Sequence, residues 1–222
     1  MKQLINLKKV ILVLSILSLF LACDPLATFN EPQPSNTSNL SKFPNRLQGK
    51  YLSLTDSSII SIDNSLILRI YDYDFQFSIN EIDSNLKLSG DTLIDLNSNE
   101  KKLAIRKNDS LIIHINYKDT LFQIDNKHIV RKMKGYYFLN LQLDDNTWEV
   151  KKIQLKKGQL HIGTISTEDE IKKLDEITET PQDTISKNNT YSPTKKQFKK
   201  FIKNNGFGSN ESFIKLSKNS KK

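Results

Sequence analysis

The sequence predicts a mainly β protein: an antiparallel meander forming a barrel or sandwich, with one short helix after the strands and a basic C-terminal helix. Three observations carry this reading. Between Leu47 and about Ile165, apolar and β-branched residues alternate in short stretches such as KYLSLT, LILRIYDY, SLIIHINY and TWEVKKIQL, the period of half-buried strands. Asp, Asn, Ser and Gly fall between these stretches, where turns need them. No run of about 10 to 15 residues in this span carries a helical stripe, which removes βαβ folds and their switch-point sites.

The N-terminal segment is of another kind. Lys2, Lys8 and Lys9 precede an apolar run from Val10 to Ala22, too short for a hydrocarbon core of about 30 Å but suited to a signal-peptide h-region. It stops at Cys23-Asp24-Pro25, and Cys23 is the only cysteine. One cysteine closes no intramolecular bridge, so the folded part is expected to hold by packing alone. Residues 24–45 carry four prolines and many Asn and Ser without either period. With Cys23 they are expected to form a flexible tether, residues 23–45, reaching on the order of 25 Å as a coil.

The stretch Leu19-Phe20-Leu21-Ala22-Cys23 resembles the lipobox of bacterial lipoproteins, with Phe20 where Leu is usual. The resemblance implies cleavage after residue 22 and acylation of Cys23, a lipid-attachment site that makes the bilayer a partner. Two or three acyl chains hold stably where one holds marginally, at about 0.8 kcal/mol per buried methylene.

Residues 46–177 are expected as one β-rich domain with its closing helix. A phrase recurs within it: Asn64-Ser65-Leu66, Asp91-Thr92-Leu93, Asp109-Ser110-Leu111 and Asp119-Thr120-Leu121. Its acids read as turn formers at strand entrances rather than catalytic carboxylates. Gly49-Lys50-Tyr51 and Gly135-Tyr136-Tyr137 both open strand series. A Gly-x-aromatic opening is similar to that of lipocalin-like barrels, which often begin with Gly-x-Trp; here Trp148 lies elsewhere. A span of about 120 to 140 residues suffices for one core. Thr167 and Glu170 then form a capping-box signature, followed by Ile171, Leu174 and Ile177 on one helical face.

Residues 178–191 read as a linker and 192–222 as a basic amphipathic helix and tail. Residues 191–222 hold nine lysines and one acid, whereas 23–190 hold 21 basic and 24 acidic residues. The formal charge of +8 is thus a property of the tail. Ser192 is placed to cap, Pro193 to start the helix and Gly206 to end it. Phe198, Phe201 and Ile202 form its stripe, while Lys195, Lys196, Lys199, Lys200 and Lys203 cover the rest. Two readings stand: the stripe docks on the body, or the helix contacts a membrane or acidic partner.

No enzymatic motif is found: there is no His-x-x-x-His, Cys-x-x-Cys or Gly-x-Ser-x-Gly, and the histidines are only His114, His128 and His161. No catalytic residue, metal ligand or cofactor is expected. Asp72 and Asp74 read as a solvated strand face. Nucleic acid is not expected, since the lysines accompany no recognition motif and export separates the chain from chromosomal DNA. Tyr71, Tyr73, Phe75 and Phe77 alternate along one strand and are candidates for the wall of an apolar-ligand site.

The expected function is therefore that of a membrane-anchored envelope lipoprotein with a non-enzymatic structural or protein-interaction role, its partner another envelope protein. The alternative is a lipocalin-like carrier of a lipid or other apolar molecule, and an envelope enzyme ranks third. The Lys-, Asn- and Ile-rich character resembles that of envelope lipoproteins of Bacteroidetes-type bacteria, and the outer membrane is favoured over the inner.

Overall fold

In chain order the strands are β1 (Ala27–Phe29), β2 (Gly49–Ser53), β3 (Ile59–Ile62), β4 (Leu66–Ser78), β5 (Leu86–Ser89), β6 (Thr92–Asp95), β7 (Lys101–Lys107) and β8 (Ser110–Gln123). They continue with β9 (His128–Met133), β10 (Tyr136–Asp144), β11 (Thr147–Lys156), β12 (Gln159–Thr164), β13 (Asn189–Tyr191) and β14 (Ser209–Lys215). Two helices, α1 (Glu168–Thr178) and α2 (Lys195–Lys203), flank β13 in sequence. These come from a computed structural model, which describes residues 25–178 and 189–217. The expected signal segment, Cys23 and most of the expected linker 178–191 lie outside the described residues. The class is mainly β, as expected, and the sheet is mixed and not closed.

The chain divides into two compact units, and neither matches the expected domain 46–177. One takes residues up to Thr37, Asn140–Lys151 and Gly163–Ser209; the other takes Ser38–Leu139, Lys152–Ile162 and the residues from Asn210 on. The reason is that strands β10, β11, β12 and β14 each contribute residues to both, which no local pattern announces.

In the larger unit the strand order runs β9-β10-β11-β12-β14-β2-β3-β4-β8-β7-β6-β5. Its main core is filled by bulky side chains, among them Phe43, Tyr51, Ile67, Phe122, Tyr137 and Phe213. The two Gly-x-Tyr openings serve it alike. Gly49 and Gly135 have φ of 135° and 87°, and Tyr51 and Tyr137 two residues on are fully buried. Asp side chains at 56, 83, 95 and 125 each accept the backbone N–H two residues ahead, as turn chemistry requires. Three of the four recurring phrases do stand at strand entrances. The fourth, Asp119-Thr120-Leu121, lies inside β8 at a register shift, where a β-bulge rather than a turn uses the extra residue.

β4 and β8 pair from Leu66↔Gln123 to Ser78↔Ser110, a ladder about 40 Å long at the usual rise. Its far end, with β5, β6 and β7, encloses a second core of Leu93, Ala104, Leu111 and Ile113.

The smaller unit corrects the expected tether. β1 lies between β13, to which it is parallel, and β11, where Phe29 faces Trp148. Beyond it, the Gln33 N–H donates to Asn140 Oδ1 at 2.5 Å and Asn140 Nδ2 donates back to the Gln33 carbonyl at 3.0 Å. Both residues are fully buried, and such reciprocal pairing is what makes burying two amides tolerable. In the larger unit, Phe43 of the same stretch belongs to the main core, and Leu40 bridges Val130. Residues 25–45 are thus folded chain.

The basic helix is corrected as well. Its cap is Thr194 rather than Ser192, in a capping box with Gln197. At its end Asn205 takes the left-handed φ of 59°, and the Gly206 N–H reaches back to the Phe201 carbonyl at 3.0 Å, a Schellman-type close. Gly206 is needed for a different reason: a Cβ there would stand 2.5 Å from two ring carbons of Phe201. Phe198 packs edge-on to Phe29 at 6.0 Å, and Phe207 packs against Phe198 and Phe201 at 6.1 and 5.6 Å. The expected capping box of α1 is present. Thr167 and Glu170 exchange bonds, and the buried Glu170 carboxylate also accepts the N–H groups of Ser166 and Gly208.

Two outcomes are expected. Gly206→Ala should lose about 1–3 kcal/mol in urea unfolding through overpacking against Phe201, while Lys203→Ala on the exposed side stays within about 0.5 kcal/mol. The Tyr51 hydroxyl donates to the Leu47 carbonyl at 2.7 Å, and burial pushes its pKa up to about 12. The folded state therefore holds this proton more tightly than an unfolded tyrosine, near 10. The linked stability is complete below about pH 10 and falls as pH rises towards about 12. Stability measured against pH should show this alkaline decline, and Tyr51→Phe should make it shallower.

Candidate functional site

The far end of the β4–β8 ladder carries an open groove of about 460 Å³. Register explains its lining. Phe75 faces Ile113, which faces Ala104 on β7, and Lys102 of β7 faces Leu93 of β6. Because strand side chains alternate, these residues share one face across four strands. Phe75 and Phe77 stack there with ring centroids 5.7 Å apart, and Leu86, Leu93 and Ile113 complete the apolar floor.

Four charged groups line the groove with them: Glu81, Asp95, Glu100 and Lys102. Each acid is held in place locally. Glu81 closes the capping box of a 3-10 turn, Ile79–Glu81, by accepting the Ser78 N–H at 2.8 Å. Asp95 accepts the N–H groups of Asn97 and Ser98, and these backbone donors hold its pKa below the usual carboxylate value. Glu100 pairs with Lys102 at 3.4 Å. An apolar floor with fixed acids around it can hold an uncharged or cationic apolar group.

The aromatic wall is only half realised. Phe75 and Phe77 line the groove, but Tyr71 stacks on Tyr117 at 6.1 Å nearer the main core, and Tyr73 stands between, 42% exposed. All four share a face; the strand is simply longer than the groove. The remaining lining residues were missed because they come from other strands. The alternation in LKLSGDTLIDL is local, and only the strand order β4-β8-β7-β6-β5 brings Leu86 and Leu93 onto the face of Phe75 and Phe77.

Asp72 and Asp74 lie exposed on the opposite face, where His114 stands between them, 3.2 and 3.0 Å from their oxygens. His128 meets Asp125, and His161 meets Ser212. Among the described residues no group of three His, Cys, Asp or Glu is arranged to hold a metal ion.

On α2, Phe198, Phe201 and Ile202 are buried within the smaller unit, so they are not available to a membrane or partner. Lys195, Lys196, Lys200 and Lys203 are exposed and Lys199 is half-buried. Among the described residues no helix is long and apolar enough to cross a membrane.

The groove's prediction concerns Phe75, which is 47% exposed. Phe75→Ala should leave the melting temperature nearly unchanged while sharply reducing the fluorescence of added Nile red, an uncharged apolar dye. An undiminished signal would place the dye elsewhere. No family model, curated protein or solved structure matches this chain, so what the groove does is read from its own residues.

Proposed function

We propose that this chain is an envelope lipoprotein, anchored through acylated Cys23, whose task is to hold another envelope protein on the β4–β8 extension. The carrying observation is where its apolar surface is exposed. Leu103 and Ile105 on one face of β7 are 69% and 62% exposed, Tyr117 of β8 is 58% exposed, and Phe75 and Tyr73 of β4 are 47% and 42% exposed. Leu103 and Ile105 lie on the face opposite Phe75, Tyr73 and Tyr117, so this sheet exposes large apolar side chains on both faces. Single exposed leucines need no explanation, but several on one small sheet suit a binding surface. No step of chemistry is assigned to it.

A second reading, a carrier of an apolar molecule, is supported by the groove itself. Its volume of about 460 Å³ lies within the range of small-molecule sites, about 300–1,000 Å³. The two readings differ in where substitutions act. A partner protein contacts Leu103 and Ile105 on the outer face, whereas a small ligand contacts only the groove.

Cys23→Ser should abolish acyl labelling and release the protein from membranes; retention would show that another element anchors it. A photo-crosslinking residue at position 105, in the native host, should capture a discrete envelope protein. If a crosslinker at 105 yields nothing while the purified protein retains a small apolar species in fixed stoichiometry, the carrier reading replaces this one.

A further inference from the structure

Pro25, Leu26 and Ala27 line a second cavity, of about 370 Å³, within the smaller unit. Val150 and Ile165 complete its apolar lining. The one charged lining residue, Glu149, is paired with Lys151 at 3.3 Å. Thr164 and Ser166 are its other polar lining residues, so five of the eight are apolar and Glu149 is the only charge. Its size falls in the range of ligand sites, about 300–1,000 Å³. A mainly apolar lining with a few hydroxyls suits a hydrocarbon chain that carries a polar end.

The chain order supplies the occupant. Cys23 precedes Pro25 by two residues, and two residues span at most about 7 Å. Strand β1 begins at Ala27, so no spacer separates the lipid-bearing position from the cavity wall. We infer that this cavity seats an acyl chain carried on Cys23 itself. The inference rests on the reading that Cys23 is acylated. A chain attached so close is present at an effective concentration in the millimolar range, which favours it over free lipid without any new contact. The protein would thereby shield one of its own acyl chains from water.

Trp148, the only tryptophan, is the built-in reporter, since it directly precedes Glu149 and Val150 of the lining. The probe is 16-doxyl-stearate, a fatty acid whose spin label quenches tryptophan. It is titrated into the acylated protein and into a Cys23→Ser chain exported behind a general secretory signal that is then removed. Since residue 23 is not among the lining residues, the second protein keeps every one of them.

Saturable quenching is expected in the unacylated chain, and binding about tenfold or more weaker in the acylated one, where the tethered chain competes. Equal quenching in both, or none in the unacylated chain, would overturn the inference. So would quenching that disappears with Phe75→Ala, because the probe would then occupy the other groove. The intact mass of the wild-type protein reports acylation separately. An unmodified Cys23 removes the anchor reading itself, whereas an acylated Cys23 with equal quenching removes only the seat.

Discussion

The antiparallel ladder between β4 and β8 is the constraint on which the larger unit depends. One continuous pairing serves two cores: Ile67 and Phe122 enter the main core at one end, while Phe77, Leu111 and Ile113 enclose the second at the other. Strand side chains have a period of two, so slipping the pairing by one residue would turn both sets outward. The bulge between Ile67 and Leu68 is therefore structural. On β8 the odd-numbered residues 111, 113, 115 and 117 share the face of Phe77 to Tyr71, yet Phe122 points the same way as Ile67. The extra residue at Leu121 makes that change of phase, as a bulge does.

The same bulge explains why the strand reads as two. SLIIHINY and TLFQI alternate in opposite phase, and an Asp-Thr pair between them imitates a strand entrance. A phase break looks alike in sequence whether it comes from a turn or a bulge. Only the partner strand separates the two cases, since β4 runs on past the break.

The chain ends concealed their structure for a related reason. Residues 25–45 contain few apolar groups, spaced without period, because most are buried singly. Phe29 lies in a three-residue strand, Phe43 in a loop, and Gln33 satisfies a buried asparagine. The C-terminal segment has the charge of a solvated tail, but its lysines say nothing of Phe198, Phe201 and Phe207, which form an aromatic core beneath them. Composition averages over faces, and a helix keeps its charged and buried faces separate. The strand that follows, β14, pairs with β2, so a segment read as a tail supplies part of the main sheet.

By itself the sequence determined what depends on neighbours along the chain. It carried the β class, the turn chemistry of its aspartates, the capping box of Thr167 and Glu170, and the stripe that buries α2. It also showed that Tyr71, Tyr73, Phe75 and Phe77 share a face. Tertiary structure decided what depends on partners far away: that β14 stands between β12 and β2, and that Leu86, Leu93 and Ile113 meet Phe75 and Phe77 while Tyr71 meets Tyr117 instead. A period of two fixes which side chains lie together on one strand. It does not fix which strand lies beside it, because that choice is made by packing between residues tens of positions apart.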